Sequence, residues 1–443
     1  MFNSFRGGIH PPQRKNLTMN AGIMNLPVPQ VCYIPMLQHT GAAAEPVVKK
    51  GDIVSEGELI GRALGEDSVN VHASVPGKVI DIIDSRFFNV QQKTVLIEAE
   101  GAFTTTGSSP SELNDWRNKD TAILLEMIRT SGVAGLGGDA FPTAAKLTPP
   151  DGLKIDTLIV NGAESEPYLT SDDVIMNTYP REIIEGIQIT LKIIGISKAI
   201  IAVEDNKKPA IRALNEAIKH IQPEEKISVK QLQSKYPQGS EKQLVYTLLN
   251  RVIPNSEPPQ NSGVVVINAG TIFAIREAVL FNKPLIDRVI TVSGDMINRP
   301  GNYKVRMGTR ISEIIEECGG LKGVPGRIVI GGPMRGISVD DMELPVIKST
   351  SGILFLSDKE TCNGDSVSCI RCGRCVSVCP SGLIPRNIAG AVEKREFDLA
   401  ASFHPEACIM CSCCSYVCPA KRPLSYLVGI ALESLQAEKV IKG

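Results

Sequence analysis

In the middle of the chain, short apolar runs typical of buried strands alternate with segments whose apolar residues recur at helical spacing. Short apolar runs with the length of buried strands lie at residues 155–160, 199–203, 227–232 and 264–267. Apolar residues recur at helical spacing over 180–194 and 208–220, and a further helix opens within 236–243 and runs to about residue 251. Strands that alternate with helices predict a parallel β-sheet with both faces covered.

Polar and glycine residues follow the ends of these predicted strands. Ligands of open α/β sheets bind at the carboxyl ends of the strands, so these residues are candidates for one binding edge. Turn and helix-cap roles account for the same residue types equally well, and the pattern alone leaves both interpretations open. The candidates are Asn161, Glu164, Glu166, Gly239, Glu241, Asn268 and Thr271.

A glycine-rich segment at residues 130–147 precedes the first of these strands. Gly135, Gly137 and Gly138 permit close approach of the backbone to a ligand, and backbone N–H groups in such a loop bind phosphate. Lys146 adds a positive charge just beyond the loop. Taken alone, a glycine loop of this kind is weak support for a phosphate site.

Further β-structure is predicted before and after the parallel sheet in the sequence. Glycine-punctuated short strands at 47–60 and 72–79 resemble a biotinyl/lipoyl-type barrel sandwich. Its turn region, 65–71, has no lysine to carry a prosthetic arm, so we expect a structural or docking domain. Strand-like runs at 288–294 and 326–332, with a helix at 311–318 between them, resemble a β-grasp domain of the soluble-ligand-binding type.

Composition excludes several classes of protein. The 443 residues carry 47 basic and 48 acidic side chains, and this balance gives no indication of a nucleic-acid surface. No window holds 18 uncharged apolar residues, so we expect no transmembrane helix. The N-terminal residues lack the apolar core of a signal peptide.

Cysteine supplies the strongest signal, because nine of the 12 cysteines lie between residues 369 and 418. Two runs there have the spacing C-x2-C-x2-C-x3-C-P, which is the bacterial ferredoxin pattern for [4Fe–4S] clusters. In that pattern the fourth cysteine of each run ligates the other cluster. We therefore assign one cluster to Cys369, Cys372, Cys375 and Cys418, and the other to Cys408, Cys411, Cys414 and Cys379.

The alternatives for these cysteines fit less well. Zinc takes four ligands in pairs rather than two matched sets of four, and a disulfide framework is typical of small secreted domains. Helices are expected at 385–395, between the runs, and at 424–440, after them. The remaining cysteines are interpreted as ordinary buried or loop thiols: Cys32, Cys318, Cys362 and Cys413.

The cluster segment is also slightly basic. Its cations either form a solvated face that offsets the negative thiolate-bound clusters or form a docking patch for an acidic redox partner. The sequence leaves both interpretations open. The residues are Arg371, Arg374, Arg386, Lys394, Arg395, Lys421 and Arg422.

Four motifs in one order resemble the RnfC family, a peripheral component of Rnf membrane complexes. They are residues 7–15, the glycine loop at 135–143, Asn-Gly-Ala-Glu-Ser-Glu-Pro-Tyr at 161–168, and the paired cysteine runs. The resemblance implies a subunit of an ion-translocating ferredoxin:NAD⁺ oxidoreductase that contains two [4Fe–4S] clusters and uses FMN and NAD(H). It also implies membrane and ferredoxin-like partner subunits, indirect exchange with ferredoxin, and a peripheral place on the cytoplasmic face of the cell membrane.

That family is in turn similar to the flavin- and NADH-binding subunit of respiratory complex I, which implies roles for individual residues. Gly135, Gly137, Gly138 and Lys146 match its flavin-holding loop, and Phe141 matches an aromatic residue near the nicotinamide. Asn161 and Glu164 match flavin-side polar residues, and Glu166 matches a carboxylate on the nucleotide side. Gly239 and Glu241 match a Gly-x-Glu element, and Asn268 and Thr271 match a turn near the flavin phosphate.

The chain departs from the family pattern at four positions. The loop usually reads Gly-Gly-Ala-Gly-Phe-Pro, whereas Asp139 and Ala140 stand here. A carboxylate at position 139 repels a phosphate unless it points outward. Ser165 stands where the family often has cysteine, and Ser240 stands where the complex I relative has glutamate, so one nucleotide contact is missing.

The expected fold is multidomain α/β. An N-terminal barrel-sandwich β domain precedes a Rossmann-like flavin/NAD domain, a β-grasp domain and a C-terminal α-helical two-cluster domain of bacterial ferredoxin type. The expected boundaries are an arm at 1–30, the barrel sandwich at 31–105, the FMN/NAD(H) domain at 106–262, the β-grasp domain at 263–358, the cluster domain at 359–425 and a helix or tail at 426–443.

Two other functions remain open at this point. A soluble cobalamin reductase shares the flavin, β-grasp and ferredoxin modules, but it has its barrel sandwich after the cluster segment rather than before it. The second open function is that of an adaptor that carries clusters but binds neither flavin nor nucleotide. The A subunit of the sodium-pumping quinone reductase resembles such an adaptor.

Overall fold

The structure is a computed structural model that describes residues 4–88, 90–101, 114–150, 152–254, 257–361 and 364–442. Cys362 lies outside the described residues. In the part of the chain that the structure describes, no helix is long and apolar enough to cross a membrane.

The N-terminal arm and the barrel sandwich come first. Their strands are β1 (Ile23–Asn25), in the arm, and then β2 (Val31–Pro35), β3 (Glu45–Pro46), β4 (Ile53–Val54), β5 (Leu59–Arg62), β6 (Val71–His72), β7 (Gly77–Phe87) and β8 (Val90–Ala99). The barrel sandwich packs a four-stranded sheet, ordered β2-β8-β7-β4, with a three-stranded sheet, ordered β3-β5-β6, around a core that includes Cys32.

The predicted parallel sheet and its helices follow. The elements are α1 (Thr121–Thr130), α2 (Thr143–Leu147), β9 (Thr157–Gly162), α3 (Ser171–Thr178), α4 (Pro180–Ile194), β10 (Lys198–Glu204), α5 (Lys208–Ile221), β11 (Lys226–Leu232), α6 (Glu241–Leu249), β12 (Val264–Asn268) and α7 (Ala269–Phe281). All four predicted strands and three predicted helices form within one to five residues of the expected bounds. The strands run parallel in the order β11-β10-β9-β12.

Strand order creates a crevice at one edge of this sheet. The chain moves from β9 to β10 on one side and later returns to β12 on the other. The connections that leave β9 and β12 therefore diverge, and they open a gap at the carboxyl ends of these two strands. Asn161 and Asn268 are register partners at that edge.

The parallel sheet extends past residue 262, where we placed the domain boundary. Strand β12 pairs with β9, and α7 packs on α4, so both belong to the flavin/NAD domain rather than to the β-grasp domain. A boundary at residue 262 therefore falls one strand and one helix too early. The correction matters because β12 and α7 supply Asn268 and Thr271.

The β-grasp domain takes its edge strand from the N-terminal arm. Its own elements are β13 (Asp287–Ser293), β14 (Gly301–Arg306), α8 (Ile311–Glu317), β15 (Arg327–Ile330), β16 (Ile337–Val339) and β17 (Gly352–Leu356). The sheet has the order β1-β14-β13-β17-β15-β16. Cys318 is buried in the core shared by this domain and the parallel-sheet domain.

The C-terminal segment is helical, as predicted. Its helices are α9 (Arg374–Ser377), α10 (Pro385–Glu393), α11 (Phe397–Ala401), α12 (Cys413–Tyr416) and α13 (Leu424–Lys442). Each cysteine run ends in a single helical turn, α9 or α12, and α10 packs against the C-terminal helix α13.

Lys348 connects three domains at a buried junction. Its ammonium donates to the backbone oxygens of Asn70 in the barrel sandwich and Gly132 in the flavin/NAD domain, each at 2.7 Å. The side chain is 1 % exposed, and burial lowers its pKa from 10.5 to about 7. The charged form is therefore costly in the folded protein.

This burial makes stability depend on pH in a defined direction. Between about pH 7 and pH 10.5 the unfolded chain binds more protons at Lys348 than the folded chain does, so stability rises with pH in that window. We expect the thermal midpoint of the parent protein to rise with pH relative to that of Lys348→Met. Parallel pH dependences of the two melting temperatures would contradict this assignment.

Candidate functional site

Two connected cavities form one crevice at the carboxyl ends of β9 and β12. Counted with the open solvent space at their mouths, they measure about 1170 Å³ (the larger cavity) and about 990 Å³ (the smaller cavity). Both are lined by Gly137, Asn161, Gly239, Asn268 and Arg335. The shared lining makes them two parts of one crevice.

The structure places all twelve predicted cofactor residues around this crevice. The larger cavity, toward the β-grasp domain, is lined by Gly138, Glu164 and Glu166. The smaller one, toward α6, is lined by Gly135, Phe141, Lys146, Glu241 and Thr271. The other four, Gly137, Asn161, Gly239 and Asn268, line both.

The glycine loop is fixed against α7 and leaves one face open. Leu136 N–H donates to Thr271 Oγ1 at 2.8 Å. A Cβ added to Gly137 would lie 3.4 Å from Asn268 Cβ, so the loop passes close to the end of β12. Gly138 has φ +110°, and a Cβ there would meet nothing within 4 Å. The backbone at Gly138 thus faces the space that a cofactor would fill.

Ala140 adopts a conformation that suits glycine better. Its φ is +46°, in the left-handed region, and its side chain is buried against Val69 and Ala134. A left-handed residue with a Cβ costs roughly 1–2 kcal/mol. The departure from the family loop at this position therefore adds backbone strain, while the loop remains in place.

The loop after β9 directs its side chains by unusual backbone geometry. Glu164 has φ +46°, and its Oε1 accepts the N–H of Asp172 at 2.7 Å, at the start of α3. Asn161 Nδ2 donates to the carbonyl of Gly239 at 2.8 Å. Strained backbone of this kind persists where surrounding contacts over-determine it, and it clusters at functional sites.

Two buried lysines support this loop from beneath. Lys15, in a short 3₁₀ turn of the N-terminal arm, donates to the carbonyls of Glu164 at 2.9 Å and Glu166 at 3.0 Å, and also to that of Leu169. Lys207 donates to the carbonyl of Ala163 at 2.7 Å. The sequence motif at 7–15 pointed to the arm, but it did not show that Lys15 holds the loop.

Glu166 connects the crevice to the β-grasp domain. Its Oε2 accepts the N–H of Met334 at 3.0 Å, and Tyr236 donates to its Oε1 at 3.4 Å. Burial raises the pKa of Glu166 to about 7. The carboxyl group is thus poised between protonation states while it faces the crevice.

Asp172 is a crevice residue that the sequence analysis missed. It accepts Asn268 Nδ2–H at 2.6 Å and Gly270 N–H at 3.3 Å, and it lines the larger cavity. Burial, reinforced by the nearby Glu164 charge, raises its pKa to about 7. The paired acids 172 and 173 at the start of α3 were the available signal, but we did not predict that helix.

The smaller cavity has the features of a phosphate site. Helix α6 begins there, and the Ser240 side chain does not cap it, so its first N–H groups face the cavity without that partner. Lys146 forms an ion pair with Glu241 at the same place. A helix N-terminus beside a lysine attracts a phosphate group.

Asp139 lies at the rim of the crevice, where it lines both cavities and is paired. Its Oδ1 lies 3.0 Å from Arg335 Nη2, on the β-grasp domain, and its side chain is 73 % exposed. The repulsion expected from this departure is therefore offset by a cation from another domain. Arg335 itself was not predicted, because its loop lies about 200 residues away in sequence.

Each predicted set of four cysteines encloses its own cavity. One cavity is lined by Cys369, Cys372, Cys375 and Cys418. The other is lined by Cys379, Cys408, Cys411 and Cys414. The fourth cysteine of each run thus lies with the first three of the other run, as the spacing predicted.

The donor set of each cavity fits an iron–sulfur cube. A cube presents four separate irons, each of which takes one thiolate, and each predicted set supplies four thiols around one cavity. Cys413 is buried and also lines the second cavity, but it falls outside the spacing of the run.

The two cluster cavities differ in their surroundings. Cys411 lines the larger crevice cavity as well as its own, and Ile409 lines both crevice cavities. Cys369 and Cys372 of the other set are exposed. One cluster position therefore adjoins the crevice, and the other lies at the surface.

Four family profiles match the chain in sequence. The RnfC barrel sandwich hybrid domain matches residues 3–102, and the Nuo51 FMN-binding domain matches 128–277. The SLBB domain matches 289–338, and the 4Fe-4S dicluster domain matches 368–421. The four matches confirm the expected kinds of domain and their order.

Curated relatives are similar over most of the chain, and each is the C subunit of its complex. The relative from the proton-translocating ferredoxin:NAD(+) oxidoreductase complex of Clostridium ljungdahlii is 42% identical, over 87% of this chain and 83% of its own length. The relative from the Na(+)-translocating complex of Acetobacterium woodii is 39% identical, over 90% and 89%. The relative from the ion-translocating oxidoreductase complex of Rhodobacter capsulatus is 39% identical, over 90% and 76%.

A solved structure shares the fold at lower sequence similarity. A chain of an NAD+-reducing [NiFe]-hydrogenase in its air-oxidised state superposes with a TM-score of 0.50 and 19% identity, over 67% of this chain and 57% of that one. This likeness concerns the fold alone.

Proposed function

This chain belongs to the RnfC family of ion-translocating ferredoxin:NAD⁺ oxidoreductase complexes, and we propose that it passes electrons between two [4Fe–4S] clusters and NAD(H) through a bound FMN. The observation that carries this proposal is that Cys411 lines both a cluster cavity and the crevice. A cluster held by Cys411 and a flavin held in the crevice would be neighbours, which would suit direct electron transfer between them.

The residues present fit FMN. The space beside Gly138 is open, so the flavin ring or the chain attached to it can approach the backbone there. The start of α6, together with Lys146, suits the phosphate. Thr271 and Asn268 hold the loop and the helix start that frame the site. Bound there, the flavin supplies the exchange between single electrons and a hydride.

We assign a dinucleotide to the part of the crevice beside the flavin. Phe141 is 44 % exposed at the mouth of the smaller cavity, where an aromatic ring offers a stacking surface. The protein groups hold and orient the two nucleotides and exclude water from between them. Burial raises the pKa of Glu166, which lines the larger cavity, to about 7, so its carboxyl group can take up or release a proton near neutral pH.

The exposed cluster position suits exchange with a partner protein. Cys369 and Cys372 lie at the surface, and Arg374, Arg386 and Arg422 line their cavity. Exposed Ile370 and Val367 add an apolar component to this face. We assign this face to an acidic redox subunit of the complex, because opposite charge steers such encounters.

In this proposal, partner subunits attach the chain to the membrane. The curated relatives are named as parts of ion-translocating complexes, and translocation is a task for the membrane subunits of such a complex. NAD(H) is the proposed substrate of the crevice, and the cytoplasmic face is where that nucleotide is available. We therefore assign the chain a peripheral position on that face, attached through its partners.

Changing the Lys146–Glu241 pair tests the flavin site. We expect Lys146→Met to weaken FMN retention about tenfold or more, because it removes a cation and leaves Glu241 facing the phosphate. Glu241→Gln, which frees the lysine, is the matched variant and is expected to retain FMN at least as well as the parent. Flavin and iron are quantified after anaerobic desalting.

Equal flavin content in the parent and Lys146→Met would remove the phosphate site from this end of the crevice. Loss of iron together with flavin would instead show general misfolding. A parent protein that binds no flavin while both clusters are intact would favour the cluster-carrying adaptor.

A further inference from the structure

Arg335 occupies a distinctive place in the crevice. It lies in the loop 331–336 between β15 and β16 of the β-grasp domain, and it lines both cavities. Among the described residues that line the larger cavity, it is the one basic side chain. The acidic side chains of that cavity are Asp139, Glu164, Glu166 and Asp172.

The backbone of this loop is fixed against the flavin/NAD domain. Met334 N–H donates to Glu166, and Gly336 N–H donates to the carbonyl of Gly332 at 2.7 Å. A Cβ at Gly332 would lie 2.3 Å from Glu166 Oε2, so the contact admits only glycine. Arg335 is thus presented at the crevice by a rigid support.

Two other basic side chains near the crevice already form an ion pair or a hydrogen bond within the protein. Lys146 pairs with Glu241, and Lys242 donates to the carbonyl of Pro254 at 3.2 Å. Arg335 pairs with Asp139, but both side chains are well exposed, at 46 % and 73 %. Exposed ion pairs of this kind are weak.

A dinucleotide brings a pyrophosphate into this acidic crevice. A guanidinium binds phosphate through two parallel hydrogen bonds, which are stronger than its contact with a solvated carboxylate. Exchange of Asp139 for a phosphate is therefore favourable for Arg335. No bond other than hydrogen bonds changes in this exchange.

We propose that Arg335 binds the pyrophosphate of NAD(H), and that Asp139 holds its guanidinium at the crevice mouth until the nucleotide enters. The inference rests on the proposed function, because it requires that the crevice binds a dinucleotide. It adds a nucleotide-binding residue from the β-grasp domain. It also explains why an acidic residue is tolerated in the glycine loop.

Binding of NAD⁺ to the oxidised holoprotein, with FMN and both clusters present, tests this proposal by calorimetry without turnover. We expect Arg335→Gln to raise the Kd about ten- to hundredfold and Arg335→Lys to raise it less. Asp139→Asn is expected to lower the Kd by up to about fivefold, because it removes the competing carboxylate. Arg327→Gln, an exposed arginine of the same domain, is the matched control and is expected to leave the Kd unchanged.

The salt dependence gives a second readout. The parent Kd is expected to rise with ionic strength more steeply than the Kd of Arg335→Gln, because one charge–charge contact is missing in the variant. An unchanged Kd in Arg335→Gln would overturn the inference and leave the proposed function standing. A parent that retains FMN but binds no NAD⁺ would overturn both.

Two other results would also contradict the assignment. If Arg335→Gln lost FMN rather than NAD⁺ affinity, the guanidinium would belong to the flavin phosphate. If Asp139→Asn and Arg335→Gln weakened NAD⁺ binding equally, the pair would be a structural latch between the two domains.

Discussion

Replacing Lys15 with methionine is expected to abolish flavin retention and to lower the stability of the flavin/NAD domain by about 3–5 kcal/mol. The Lys15 side chain is 6 % exposed, and its ammonium holds three carbonyls of the loop that presents Glu164 and Glu166. Without it, these carbonyls and the Glu164 carboxylate, 4.0 Å away, lose their buried donor. The strained conformation at Glu164 then loses the support from Lys15 and keeps only side-chain contacts such as that with Asp172 N–H.

Bound FMN after desalting and the thermal midpoint measure this effect. Lys49→Met removes an exposed lysine of the barrel sandwich and is the matched control, with no expected change in either quantity. Normal iron content in Lys15→Met would show that the cluster domain is intact. Retention of FMN at the parent level would contradict the role assigned to Lys15.

The second large effect concerns the crossed cluster ligands. Cys379→Ala is expected to remove the cluster beside the crevice, because Cys379 lines the cavity of Cys408, Cys411 and Cys414. Cys418→Ala is expected to remove the surface cluster instead. Each variant should fall from about eight irons to about four.

EPR of the reduced variants identifies which cluster remains. Cys379→Ala is expected to block electron transfer from the flavin to the remaining cluster, whereas Cys418→Ala should leave the flavin in contact with its neighbouring cluster. Cys413→Ala is the control and is expected to keep about eight irons, since Cys413 lines the second cavity but falls outside the ligand spacing. Spectra that assign each fourth cysteine to its own run would overturn the crossed ligation.

Local patterns predicted the elements of the site well. The helix at 180–194 has the expected bounds, and the four strands lie where the apolar runs placed them. The cysteine spacing placed the fourth residue of each run with the opposite set, because ligand geometry is encoded in short-range spacing. Parallel strand order then explains why residues as far apart as Asn161 and Asn268 meet at one edge.

These local patterns do not predict contacts between segments that are distant in sequence. Lys15, Lys348 and Arg335 act through backbone oxygens or a single carboxylate on other domains, and no periodicity marks such partners. Asp172 lies in a short helix that we did not predict, and its role depends on a bond to Asn268. The boundary expected at residue 262 falls too early, because β12 pairs with β9 across it and this pairing is not marked in the local sequence.

The pairing of Asp139 with Arg335 bears on the two alternative functions. Until a nucleotide enters, the Asp139 carboxylate is paired with Arg335 rather than bare, which weakens the main argument for an adaptor without flavin. The barrel sandwich lies before the cluster domain, in the order that distinguishes this family from the cobalamin reductases.

Addition of NADH to the anaerobic holoprotein tests the central claim most directly. We would follow the oxidised-flavin absorbance and then record EPR of the clusters in the same sample. The account predicts that stoichiometric FMN bleaches and that the cluster held by Cys408, Cys411, Cys414 and Cys379 becomes reduced. Bound flavin that remains oxidised with NADH present, or flavin that is reduced without any electron reaching that cluster, would contradict it.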